Sequence, residues 1–134
     1  MTNLTTIEGI GETYAQTLKE AGILTTEALL EQGSSPAGRK EIAEKTGLSG
    51  KLILRWVNMA DLFRIKGVGE EYADLLEAAG VDTVPELAQR KPDNLYQKMV
   101  EVNQAKKLVR QVPGQVQVKE WVEQAKQLPR RITY

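Results

Sequence analysis

Two short stretches place paired glycines where backbone amides can hold an anion. Gly9 and Gly11 in "IEGIGET", and Gly67 and Gly69 in "IKGVGEE", each bracket one apolar residue, and a helical pattern follows at once. Glycine permits a tight reversal and the close approach of a neighbour. A helix starting there presents unpaired N–H groups outward, which suits a phosphate oxygen. Thr13 and Lys66 stand beside these glycines. A third cluster, Lys106, Lys107 and Arg110, has the spacing to share one helix face. The candidate phosphate or nucleic-acid residues are therefore Gly9, Gly11, Thr13, Lys66, Gly67, Gly69, Lys106, Lys107 and Arg110.

The residues around them oppose that chemistry. Glu12 follows Gly11, and Glu70 and Glu71 follow Gly69. Carboxylates there complement the helix dipole, but they repel a phosphate. Between Ile65 and Gln89, Lys66 is the one basic residue against six acidic ones. On this reading each glycine pair is a turn that locks two helices together.

Composition narrows the classes further. The 134 residues carry 18 basic and 18 acidic side chains, with neither Cys nor His. Disulfides, thiolate nucleophiles, imidazole acid–base chemistry and the usual zinc sites are excluded. A carboxylate cation site stays open, but no dense ligand loop is present. The expectation is a protein that is no enzyme, with no cofactor, no metal and no small-molecule substrate. The polar start "MTNLTTIEGIG" has no signal-peptide character, and no apolar run reaches the ~20 residues a membrane helix needs, so a cytoplasmic location with no membrane partner is expected. Charge is nevertheless uneven: Arg90 to Tyr134 holds ten basic and four acidic residues. That basic end either contacts a partner or balances the acidic start of the same half.

The elements that must position these residues recur. "IEGIGETYAQTLKEAGILTTEAL" from Ile7 and "IKGVGEEYADLLEAAGVDTVPEL" from Ile65 match at an offset of 58. The matches point to an internal duplication, with repeats at 1–64 and 65–134. Tyr14, Ala15, Leu18 and Ala21, and then Tyr72, Ala73, Leu76 and Ala79, define one helix face in each copy. Gly22 and Gly80 mark helix ends. Thr83-Val84-Pro85-Glu86 has the form of a capping box, with Thr25 its weaker counterpart. Ser35 and Ser49 open helices in the first copy, the first of them ending at Gly47. In the second copy Asp93 is expected to cap a helix from Asn94 to about Gln111, broken by "VPG". Trp56 and Trp121 correspond at an offset of 65, so the second copy carries extra residues. Both are expected in the core, as are Tyr14 and Tyr72 with their hydroxyls near the surface. "QVQV" at 115–118 alternates but is too short for a strand. "GRKEIAEKTG" lacks the spacing of a phosphate loop and follows no strand. The fold class is all-α, with roughly eight to ten short helices packed as one compact unit.

The pattern apolar-x-Gly-apolar-Gly followed by a helix resembles the helix-hairpin-helix motif. That likeness implies hairpin amides which, in many members, bind a DNA phosphate. Each repeat also resembles the amino-terminal helical domain of archaeal and eukaryotic RecA-type recombinases, through "GVGEEYADLLEAAGVDTVPELA" and "IAEKTGLSGKLILRWVNMADL". Nearly the whole chain is similar to an uncharacterised bacterial family of tandem helix-hairpin-helix units, a domain of unknown function. The sequence departs from that family at Met59, where a His is often found.

The sequence therefore reads as a non-catalytic interaction module, its partner another protein or a second copy of itself. The alternative is sequence-independent binding of the DNA backbone through hairpin amides and the basic C-terminal face.

Overall fold

A computed structural model describes residues 2–134. Among them are eight α-helices, one short 3-10 turn and no strand beyond an isolated bridge between Asn3 and Thr25. The fold is all-α. The chain divides into two units: one runs to Asp61 and takes in Arg131–Tyr134, and the other is Leu62–Arg130.

In the first unit the 3-10 turn Leu4–Thr6 leads into α1 (Glu12–Glu20), α2 (Thr26–Gln32), α3 (Pro36–Thr46) and all but the last residue of α4 (Gly50–Leu62). Local chemistry sets most of these boundaries. α1 closes with the Ile23 amide donating to Leu18 and the Gly22 amide to Lys19, the paired bonds of a Schellman end. The Ser35 hydroxyl accepts from the Gly38 amide, and Ser49 accepts from Leu52, so both serines cap. Thr25 caps α2 through Ala28 at 3.1 Å. Leu4, Ile7, Ile10, Leu18, Ile23, Leu29, Ile42, Ile53 and Trp56 are buried. Met59 is buried as well.

The second unit holds α5 (Glu70–Ala78), α6 (Val84–Ala88), α7 (Pro92–Lys106) and α8 (Gln115–Gln127). α8 packs along α6 and α7, and α7 also meets α5. The face Val118, Trp121, Val122 and Ala125 of α8 is buried, with the spacing of one helical stripe. Thr83 caps α6 through the Glu86 amide at 3.4 Å, a longer bond than that of Thr25. The cap read as the weaker one therefore makes the shorter bond.

Three local expectations are corrected. α7 begins at Pro92, with Lys91 at the cap position and Asp93 inside the first turn. Proline's fixed φ suits the first helical position, where no N–H is needed. α7 also ends early, at Lys106, because Lys107 turns left-handed at φ 53°. Asn103 stabilises the excursion that follows: its Oδ1 accepts from the Val109 amide at 2.9 Å and its Nδ2 donates to the Val109 carbonyl at 3.1 Å. Lys106, Lys107 and Arg110 therefore do not share a helix face. In keeping with its shortness, "QVQV" is no strand and forms the first turn of α8.

Candidate interaction surface at the glycine turns

Each glycine turn is built the same way. The Ile10 amide donates to the Ile7 carbonyl at 3.0 Å, and the Val68 amide donates to Ile65 at 3.1 Å. Gly9 and Gly67 sit at φ 93° and 95°, a left-handed conformation that L side chains resist. The apolar residues beside them, Ile7 and Ile10 or Ile65 and Val68, are all buried. A tryptophan lies beneath each turn. A Cβ on Gly9 would stand 3.8 Å from Trp56 Nε1, and one on Gly67 would stand 3.0 Å from Trp121 Nε1. Tyr14 meets Trp56 edge-on at 5.1 Å, and Tyr72 meets Trp121 at 5.3 Å. Such tilted pairs are favoured by the aromatic quadrupole.

What backs the two turns differs in charge. At the first, Arg55 donates to the Glu8 carbonyl at 3.3 Å, and its Nη1 would be 3.3 Å from a Cβ on Gly9. At the second, Gln124 brackets Lys66: its Oε1 accepts from the Lys66 amide at 2.9 Å and its Nε2 donates to the Lys66 carbonyl at 3.2 Å. The residue before Trp56 is Arg55, whereas the residue before Trp121 is Glu120. One turn thus has a cation beside it and the other a carboxylate on the adjoining helix.

All nine sequence candidates, Gly9, Gly11, Thr13, Lys66, Gly67, Gly69, Lys106, Lys107 and Arg110, are exposed. Gly11 and Gly69 are the N-cap residues of α1 and α5, and neither helix start has a side-chain cap. Glu12, Glu70 and Glu71 stand exposed in those first turns. The candidates fall into separate groups. Gly9, Gly11 and Thr13 belong to the first unit; the others belong to the second. Within the second, Lys66 adjoins α8, while Lys106, Lys107 and Arg110 lie on the end of α7 and the loop beyond it.

Sequence reasoning missed Arg55, Gln124 and Val116. Arg55 and Gln124 act across 47 and 58 residues of chain, which no local pattern reveals. Val116 is 71 % exposed. It lines an open groove with Lys66, Lys119, Glu120, Glu123 and Gln127. The period-two spacing of "QVQV" was the available signal, because in a helical first turn it turns Val118 inward and Val116 outward.

Fold and turns together define an all-α protein with two tryptophan-backed glycine turns. The chain belongs to the family described as Domain of unknown function (DUF4332), whose model matches residues 8–128, a span holding both turns and both tryptophans. Comparison with curated proteins and with solved structures finds no match. Among the described residues, no helix is long and apolar enough to cross a membrane.

Proposed function

We propose that this chain is a non-catalytic interaction module of two tandem helix-hairpin-helix units, acting through protein–protein contact or self-association. The observation that carries this reading is the second hairpin. Gln124 occupies both backbone polar groups of Lys66, and Trp121 fills the space behind Gly67. Glu70 and Glu71 put negative charge where a phosphate would approach. The hairpin serves as an internal clasp, and the exposed surface beside it is a groove containing Val116. The likeness of each repeat to the amino-terminal domain of RecA-type recombinases fits this reading and the next equally, since those domains contact DNA or neighbouring subunits.

A second reading has one specific support. Arg55 places a guanidinium beside Gly9, at a hairpin whose helix start also exposes Thr13. That combination suits contact with a nucleic-acid backbone, aided by Lys106, Lys107 and Arg110. Fluorescence anisotropy of labelled duplex and single-stranded DNA, titrated at low salt and again as salt rises, separates the readings. The interaction reading expects no binding. Micromolar binding that falls steeply with salt would establish a multi-phosphate contact and overturn it.

A further inference from the structure

We propose that the groove beside the second hairpin receives a second copy of this chain, with α8 lying antiparallel on its twin. This rests on the interaction reading and names its partner. Val116, Glu120, Glu123 and Gln127 form one outward stripe at three- and four-residue spacing, with Lys119 on its flank. The opposite stripe of α8 is committed to the core. Lys66 borders the groove from the hairpin side, held at the level of Gln124.

The charges select the occupant. The groove carries two cations, Lys66 and Lys119, and two carboxylates, Glu120 and Glu123. Among the described residues, Lys66, Lys119 and Glu120 have no ion-pair partner, and Glu123 reaches Lys126 only at 3.9 Å. Phosphates would meet both carboxylates here, so the face is unsuited to nucleic acid. A two-fold axis makes each residue's partner reciprocal. Placed near residue 121 and across the helix, it sets Lys119 opposite the second copy's Glu123. The same operation brings Lys66 toward the second copy's Glu120, and Val116 toward the far end of the twin helix. Every charge of the groove then faces its opposite, twice over. A contact made mainly by one 13-residue helix is small, so the dimer is weak and forms in the micromolar range or above.

Sedimentation equilibrium over a wide concentration range tests this with Lys119→Glu, Glu123→Lys, their equimolar mixture and the double variant. The wild type should associate to a dimer. Each single reversal replaces two attractions with two repulsions between exposed side chains and should weaken the dimer by about tenfold or more. Mixing the two single variants should restore association as a heterodimer, and the double variant should restore the homodimer. Circular dichroism and tryptophan fluorescence verify that each variant is folded. A wild type that stays monomeric overturns the proposal, as does a dimer that both reversals leave unchanged. Neither result sinks the broader interaction reading, whose own failure would be steeply salt-dependent DNA binding.

Discussion

The buried guanidinium of Arg39 donates to the Thr133 carbonyl at 2.6 Å, across 94 residues of sequence. The same side chain donates to the Gly33 carbonyl at 2.8 Å and lies under the Tyr134 ring at 5.8 Å. The Thr133 amide donates to the Ser34 carbonyl, and Ile132 is buried. The tail Arg131–Tyr134 is thereby part of the first unit. Replacing Arg39 with Ala leaves two carbonyls without their charged donor. Charge-assisted bonds are worth about 1.5–3 kcal/mol, so a loss of about 2 kcal/mol is expected in urea unfolding. Arg39→Lys should recover little of it, because a single ammonium lacks the planar fork that reaches both carbonyls.

Gly38 gives the opposite result from its helix propensity. It lies inside α3, where alanine is ordinarily better by about 0.5–1 kcal/mol. Here an added Cβ would collide with the Gln32 carbonyl oxygen at the end of α2. Backbone on backbone cannot be relieved by a rotamer change. Gly38→Ala should destabilise by about 1–3 kcal/mol, the usual scale of overpacking, seen as a lower urea midpoint.

The two glycines of the second turn separate conformation from contact. Gly67 sits at φ 95° with Trp121 Nε1 at 3.0 Å from an added Cβ. Gly69 has an ordinary extended φ of −104° and open space around it. Gly67→Ala should lose about 1–2 kcal/mol from the left-handed backbone alone, with a shift in tryptophan emission. Gly69→Ala should stay within about 0.5 kcal/mol, as surface changes away from special features do. Equal effects at the two positions would contradict the turn geometry.

Glu27 makes the first unit sensitive to acid. Its slight burial works to raise its pKa, but hydrogen bonds from the Thr2 amide and hydroxyl, its own amide and the Thr26 hydroxyl outweigh that and hold it below the usual carboxylate value. The Thr2 amide reaches Oε1 at 2.7 Å and Oε2 at 3.1 Å. A carboxylate favoured in the folded state contributes stability above its unfolded pKa. That contribution disappears as pH falls through the lowered folded value. Urea midpoints taken down a pH series should therefore converge between wild type and Glu27→Gln in acid and separate near neutrality. A constant gap at every pH would show that the carboxylate charge plays no part.

Most helix boundaries were legible because capping is local. Ser35, Ser49 and Thr83 accept bonds from amides three residues on, and Gly22 and Gly80 close helices within one turn. α7 was the exception. Nothing near Lys107 forces a left-handed residue, and the Asn103 bonds to Val109 that follow it need the folded loop to exist.

The candidate site divides along the same line. By itself the sequence determined the all-α class, the two apolar-flanked glycine turns, and the burial of Trp56 and Trp121, since each follows from residue type and short spacing. Only the tertiary structure decided what stands behind each turn: a cation at Gly9 and a neutral amide at Lys66. It also decided that Lys106, Lys107 and Arg110 are not one helical face, and that the tail folds onto Arg39. The physical reason is separation along the chain. Contacts three or four residues apart are written in local pattern, whereas those joining residues 47 to 94 positions apart form only when the helices pack.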